Sequence, residues 1–275
     1  MKTYKYPILL LCLLFVGPIS GSGQIAISPK EDVEASVKSV PCPQSERLDG
    51  VRRLFKAAGA TDDEIQVEKF DKDRIANVVV RKKGTTDETV VIGAHYDRTN
   101  MGCGAVDNWT GVAIVSHIYK TLKPLVTNKS YVFVAFDREE EGLQGSRQMA
   151  KAMEKPTIDQ TCAMVNFDSF GMAQPMALKN ASSPKLIKLA TDLGKESKFK
   201  FLAVDIEGAS SDSASFRDRK IPSITLSGLG GKWDQILHTS DDKVSKVNMD
   251  SVYMGYRFGL VYLAELEAKP CHDHR

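Results

Sequence analysis

Thr89-Val90-Val91-Ile92-Gly93-Ala94-His95-Tyr96-Asp97 is a short apolar run that ends on a histidine and an aspartate. The same plan returns at Tyr131-Val132-Phe133-Val134-Ala135-Phe136, which runs into Asp137-Arg138-Glu139-Glu140-Glu141, and at Ala163-Met164-Val165-Asn166-Phe167, which runs into Asp168. Continuous apolar runs of this length read as strands covered on both faces. Between them, Gly111 to Leu122 sets Val112, Val115, Ile118, Tyr119 and Leu122 along one side of a helix, and Leu143 to Met153 is also helical. Strands alternating with helices predict an α/β fold, a largely parallel central sheet with helices on both faces, in three layers. In such sheets, reactive groups collect beyond the carboxyl ends of the strands.

Outward from this centre, Ile75 to Val80 reads as a strand and, with Thr89 to Ile92, as a hairpin across the turn-like Lys83-Gly84-Thr85. Ser45 to Ala58 is a helix ended by Gly59, Ser183 to Leu193 another, and the last helix runs from about Asp250 to Glu267. Phe199 to Val204 and Ser223 to Leu226 are strands. No linker or repeat interrupts residues 45–275, which read as one domain; residues 24–44, polar and proline-containing, read as an irregular lead-in.

Residues 1–23 combine Lys2 and Lys5, the nine-residue apolar run Ile8 to Val16, and the small residues Ser20-Gly21-Ser22-Gly23. This is the pattern of a cleaved secretory signal peptide, and the run is too short to span a bilayer. The expectation is a secreted or periplasmic protein with no membrane association after cleavage. At 42% hydrophobic and 26% charged residues the chain is ordinary globular material, and a net charge of +2 without a basic block argues against a nucleic-acid partner. Cleavage would leave four cysteines, Cys42, Cys103, Cys162 and Cys271. An even number suits disulfides in an oxidising compartment. Sequence leaves their pairing open; the usual closeness of chain ends favours Cys42 with Cys271, and hence Cys103 with Cys162.

Five segments each carry a histidine or carboxylate toward one sheet edge. They are His95, Asp107 in Gly104-Ala105-Val106-Asp107-Asn108, the glutamates after Phe136, Asp168, and His238 in Leu237-His238-Thr239-Ser240-Asp241. So many converging carboxylates require a cation between them, and mixed imidazole and carboxylate donors suit zinc better than calcium or magnesium. Five donors exceed what one catalytic zinc takes, so they suit two ions sharing an aspartate. A lone histidine at a strand end is more often structural; the company of the other loops sets His95 apart. His117, within a helix, and His272 and His274, in the tail, read as structural or solvated.

Taken in order, Gly93 to Asp97, Gly104 to Gly111, Glu139-Glu140-Glu141-Gly142-Leu143-Gln144-Gly145-Ser146, Asn166-Phe167-Asp168 and His238 to Asp241 resemble the motifs of the secreted co-catalytic zinc aminopeptidases. Five motifs in the family's order across residues 75–266 make the match specific. The resemblance implies a twisted, mostly parallel sheet of about eight strands between helices. It also implies two zinc ions per chain, His95 and Asp168 on one, Glu140 and His238 on the other, with Asp107 bridging. Asp97 would hydrogen-bond a ligand imidazole. Glu139 would be the general base, taking a proton from the metal-bound water that attacks the peptide carbonyl at a free N-terminus. The family pattern Glu-Glu-any-Gly, fixed by Gly142, sets this register; a shift to Glu140 and Glu141 is the alternative.

Two departures stand out. The family's Ser-Asp-His reads Ser211-Asp212-Ser213 here, and Leu237 precedes His238 where some relatives carry a tyrosine. The competing reading is a glutaminyl cyclase, which resembles the same fold and would use one zinc to close a glutaminyl N-terminus on itself. The short interval from His95 to Asp107 and the Glu-Glu-Glu-Gly-Leu run favour the peptidase. A non-catalytic relative that has lost its ligands is disfavoured, because every ligand position is intact. A carboxypeptidase for acidic dipeptides would need arginines facing the metals, with Arg98, Arg138, Arg217 and Arg219 as candidates.

Overall fold

The structure is a computed structural model and describes residues 25–196 and 201–275. In chain order the elements are α1 (Lys30–Lys38), α2 (Gln44–Ala57), β1 (Ile65–Phe70), β2 (Ile75–Lys82), β3 (Thr89–His95), α3 (Thr110–Leu122), β4 (Ser130–Phe136), α4 (Gln144–Ala152), α5 (Lys155–Gln160), β5 (Thr161–Phe167), β6 (Met176–Leu178), α6 (Pro184–Glu196), β7 (Leu202–Val204), α7 (Ser213–Arg217), β8 (Ser223–Ser227), α8 (Met249–Ala268) and α9 (Cys271–His274). The eight strands form one mixed sheet in the order β1-β2-β4-β3-β5-β8-β6-β7. Its centre, β4-β3-β5-β8, is parallel throughout. One face packs against α3 and α8 through a core including Phe55, Trp109, Ile114, Tyr119, Phe167 and Tyr256. The other face, through Val79, Val134 and Met164, meets α4 and α7 at Met149 and Phe216. The expected three-layer arrangement holds. β3 and β5 are buried almost end to end, which is why they carry no alternating pattern.

Three expectations are corrected. β2 and β3 do not form a hairpin: β4 lies between them, pairing antiparallel to β2 and parallel to β3. The connection crosses the start of β4 instead of turning back, with the amides of Thr85 and Thr86 donating to the carbonyls of Thr127 and Asn128. Gly84 permits this, since a Cβ there would stand 2.3 Å from the Lys129 carbonyl oxygen. The hairpin partner of β2 is β1, which the sequence hides because it is an edge strand rich in charge.

The lead-in is not irregular. Residues 30–38 form α1, which buries only Val33 and Val37; one apolar pair a turn apart is too faint a stripe to read. The disulfides are Cys42–Cys103 and Cys162–Cys271, not the pairs favoured by terminal proximity. Cys103 lies beyond the carboxyl end of β3, whereas Cys162 lies at the start of the parallel strand β5. They stand at opposite edges of the sheet, about 20 Å apart at the rise of a seven-residue strand. α8 carries Cys271 to the Cys162 edge. The tail is consequently tied down, and His274 is buried. The signal-peptide reading of residues 1–23, and the expected strand start at Phe199, lie outside the described residues. No described helix is long and apolar enough to cross a membrane.

Candidate metal centre

The carboxyl edge of the parallel strands gathers the sequence-predicted side chains. His95 ends β3, Asp168 directly follows β5, Glu139 and Glu140 follow β4, Asp107 lies in the turn entering α3, and His238 precedes α8. Two triads result, His95–Asp107–Asp168 and Asp107–Glu140–His238, in each of which one donor atom per residue lies within 4.8 Å of the others. Asp107 belongs to both, through different oxygens. Its Oδ1 is 3.1 Å from His95 Nε2, and its Oδ2 is 3.2 Å from His238 Nε2. Asp168 Oδ1 is 3.6 Å from His95 Nε2, and Glu140 Oε2 is 3.2 Å from His238 Nε2.

Asp97 anchors the glutamate loop. Its two oxygens accept the backbone amides of Glu139 (2.9 Å) and Glu140 (3.1 Å), while its Oδ1 lies 3.4 Å from His95 Nδ1. One buried carboxylate thus holds the β4 loop beside the β3 histidine, although the hydrogen bond expected from His95 Nδ1 is not made. Glu140 joins a triad, and Glu141 turns outward onto Arg138. His238, Ser169 and Arg138 all hold left-handed backbone (φ 59, 58 and 53), a conformation costly for these residue types and concentrated at sites.

Charge dominates the electrostatics. Burial works against ionised Glu139, and the carboxylates of Asp212, Asp168 and Asp107 add to it, so its carboxyl is held well above the usual range. Burial likewise raises Glu140. Burial opposes a charge on His95, but the carboxylates of Glu139, Asp107, Asp168 and Asp97 outweigh it and push the imidazole well up. Hydrogen bonds to Asp107 and Glu140 raise His238 to about 10. The cluster draws positive charge wherever a side chain can supply it. Two buried polar atoms here, Glu140 Oε1 and His95 Nδ1, have no hydrogen-bond partner. The donor set, its spacing and the unpartnered Glu140 Oε1 fit two divalent cations sharing Asp107; His95 meets the other donors through Nε2, with Nδ1 turned toward Asp97. A third grouping, Glu88 with Cys162 and Cys271, does not fit, because the cysteines are joined to each other.

Sequence reading missed several supports. Asp242 accepts the amides of Val106 (2.6 Å) and Asp107 (3.1 Å), fastening the His238 loop to the Asp107 loop. Ser211 Oγ donates to Asp168 Oδ2 at 2.5 Å, and Ser169 Oγ to Oδ1 at 3.0 Å. Fully buried Asp212 is raised to about 7 by its burial. Asp242 could not be told from half-buried Asp241, which pairs with Lys243 and Lys246. The four arginines named for an acidic-substrate site are committed elsewhere. Arg98 binds the Cys42 and Gly102 carbonyls, Arg138 binds Glu141, Arg217 binds Asn180 O, and Arg219 binds Met153 O. His117 is structural, held between Ser28 Oγ and Ser36 Oγ.

A family model described as peptidase family M28 matches residues 77–256. Leucine aminopeptidase 1 of Trichoderma harzianum is 28% identical over 245 residues, covering 78% of this chain and 61% of its own length. Aminopeptidase YwaD of Bacillus subtilis is 22% identical over 198 residues, 68% of this chain and 43% of its own. This chain therefore spans less than two thirds of these curated relatives. Among solved structures, the LapA aminopeptidase of Legionella pneumophila superimposes with a TM-score of 0.71 at 18% identity, covering 91% of this chain and 78% of its own. A glutaminyl cyclase from an Acidobacteriales bacterium superimposes with a TM-score of 0.77 at 16% identity, covering 90% and 98%. Identities this low speak to the fold alone.

Proposed function

Because this chain belongs to peptidase family M28, we propose that it is a zinc aminopeptidase that removes N-terminal residues from peptides. The single observation carrying this reading is the division of Asp107, one oxygen toward His95 and the other toward His238. In it, His95 and Asp168 serve one ion and Glu140 and His238 the other. Bound zinc would supply Lewis acidity, polarising the scissile carbonyl and acidifying water. Glu139 takes a proton from the attacking water and passes it to the departing amine. Asp97, by accepting both backbone amides of the Glu139–Glu140 pair, holds that base in register. Burial keeps Glu139 hard to ionise; cations beside it would restore its carboxylate.

An apolar surface adjoins the site. Met172, Ile206, Trp233 and Ile236 are half-buried around Val106 and Leu237, the neighbours of Asp107 and His238. It suits an apolar N-terminal side chain, in keeping with the names of the leucine aminopeptidases. We read residues 1–23 as a signal peptide and the protein as secreted; its two disulfides accord with that.

The test is to give zinc-replete protein a leucyl-anilide and a glutaminyl peptide. Release of the anilide with no cyclised product is expected. Cyclisation without hydrolysis would overturn the reading in favour of the cyclase.

A further inference from the structure

We propose that Arg47, on α2, is the positioning residue of the loop that carries Asp107, holding it in its ion-receiving shape before any ion arrives. This rests on the reading of Asp107 as a ligand. Arg47 is fully buried, yet its guanidinium is not hydrogen-bonded to a carboxylate. Its guanidinium instead gathers four backbone carbonyls. Nε donates to Tyr96 O, Nη1 to Pro41 O (3.1 Å) and Cys103 O (2.8 Å), and Nη2 to Gly104 O (3.2 Å). Three of these carbonyls belong to the metal-bearing chain. Tyr96 lies between His95 and Asp97, and Cys103 and Gly104 lead into Asp107. The planar fork of arginine can meet several acceptors at once; a lysine ammonium cannot copy that geometry.

Further contacts converge on the same loop. The guanidinium lies 5.1 Å from the ring centre of Trp109, whose Nε1 donates to Ser36 O of α1. The Cys42–Cys103 disulfide ties the same stretch to the start of α2. Gly104 has left-handed backbone (φ 57), and a Cβ there would stand 3.3 Å from Arg47 Nη1 and 2.8 Å from Asp107 O. The fit leaves little room for another loop course. Burial lowers Arg47 to about 10, with Asp97, Asp242 and Asp107 acting in the opposite direction, so it remains a cation at neutral pH. A fixed positive charge thus sits behind carboxylates that would otherwise push the loop apart. α1, α2 and Arg47 precede residue 77, where the family match begins.

The experiment uses full-length protein, Arg47→Lys, and a control, Phe55→Leu, which weakens the buried face of α2 without touching the loop. Zinc affinity is measured by chelator competition, and site geometry by the visible spectrum of the cobalt-loaded protein. Arg47→Lys is expected to weaken zinc roughly 10- to 100-fold and to change the cobalt bands, as loss of a ligand-orienting partner does. Phe55→Leu should change neither. Wild-type affinity in Arg47→Lys, or an equal loss in Phe55→Leu, overturns the proposal. Should Arg47→Lys not fold, hydrogen exchange on chelator-stripped wild type decides. The amide of Trp109, which donates to the Gly104 carbonyl that Arg47 holds, should stay protected within about tenfold of the zinc-loaded protein, and rapid exchange there overturns the proposal. A wild type that takes up no zinc would count against the metal reading instead, which keeps the two failures apart.

Discussion

Asp107 faces both histidines, whereas His238 stands in one triad alone. Asp107→Ala should therefore lose both ions, and His238→Ala chiefly one; equal losses in metal analysis would show that the bridge is misassigned. Glu139 belongs to neither triad. Glu139→Gln should keep its zinc while turnover falls about 10²- to 10⁴-fold, the usual share of a positioned acid–base group; unchanged turnover would remove Glu139 from the base role. At this scale, legibility followed chain distance. Each gathered side chain sits just past an apolar run, or in a short loop beside one, and could be found by scanning strand ends. Arg47 and Asp242 take their places through contacts with residues 49 to 136 positions away, and no local pattern marks them; Asp212 lies in the Ser211-Asp212-Ser213 segment, but its complete burial does not show in the sequence.

The elements nearest the sheet centre were legible for a physical reason. Strands buried on both faces must be apolar throughout, and α3 is buried on nearly every side. β6, of three residues, is too short for any periodicity to register, whereas β7 falls within the expected strand Phe199 to Val204. α1 escaped because two valines suffice once a tertiary contact holds it, and His117 supplies that contact from α3, bonding Ser28 Oγ at 2.8 Å and Ser36 Oγ at 2.9 Å. Burial pushes this imidazole down to about 4. The unfolded chain takes up the proton near pH 6.5, so the stability it contributes is complete above that pH. It is lost as pH falls toward 4, by up to on the order of 3 kcal/mol. The Tm should fall as pH drops through this window in the wild type and less so in His117→Gln; parallel profiles would contradict the assignment.

Across the whole molecule the two disulfides serve opposite edges of the sheet. Cys42–Cys103 borders the metal loop, and Cys162–Cys271, spanning 109 residues, pins the tail to the start of β5. Replacing Cys162 and Cys271 with serine should cost about 2–4 kcal/mol, or roughly 5–15 °C in Tm, through the freed unfolded chain. Turnover at 25 °C should not change; a matching loss of activity would mean that the far edge reaches the site. The fold as a whole was readable because alternating elements leave few ways to build a covered parallel sheet. The pairing of distant cysteines depends on which edge each strand end occupies, and chain order alone does not state it.

Zinc bound per chain, after zinc loading and exhaustive dialysis, is the most direct test of the central assignment. Two ions per chain in the wild type are expected, and none in Asp107→Ala. A wild type that retains no stoichiometric zinc, or an Asp107→Ala protein that retains both ions, would contradict it.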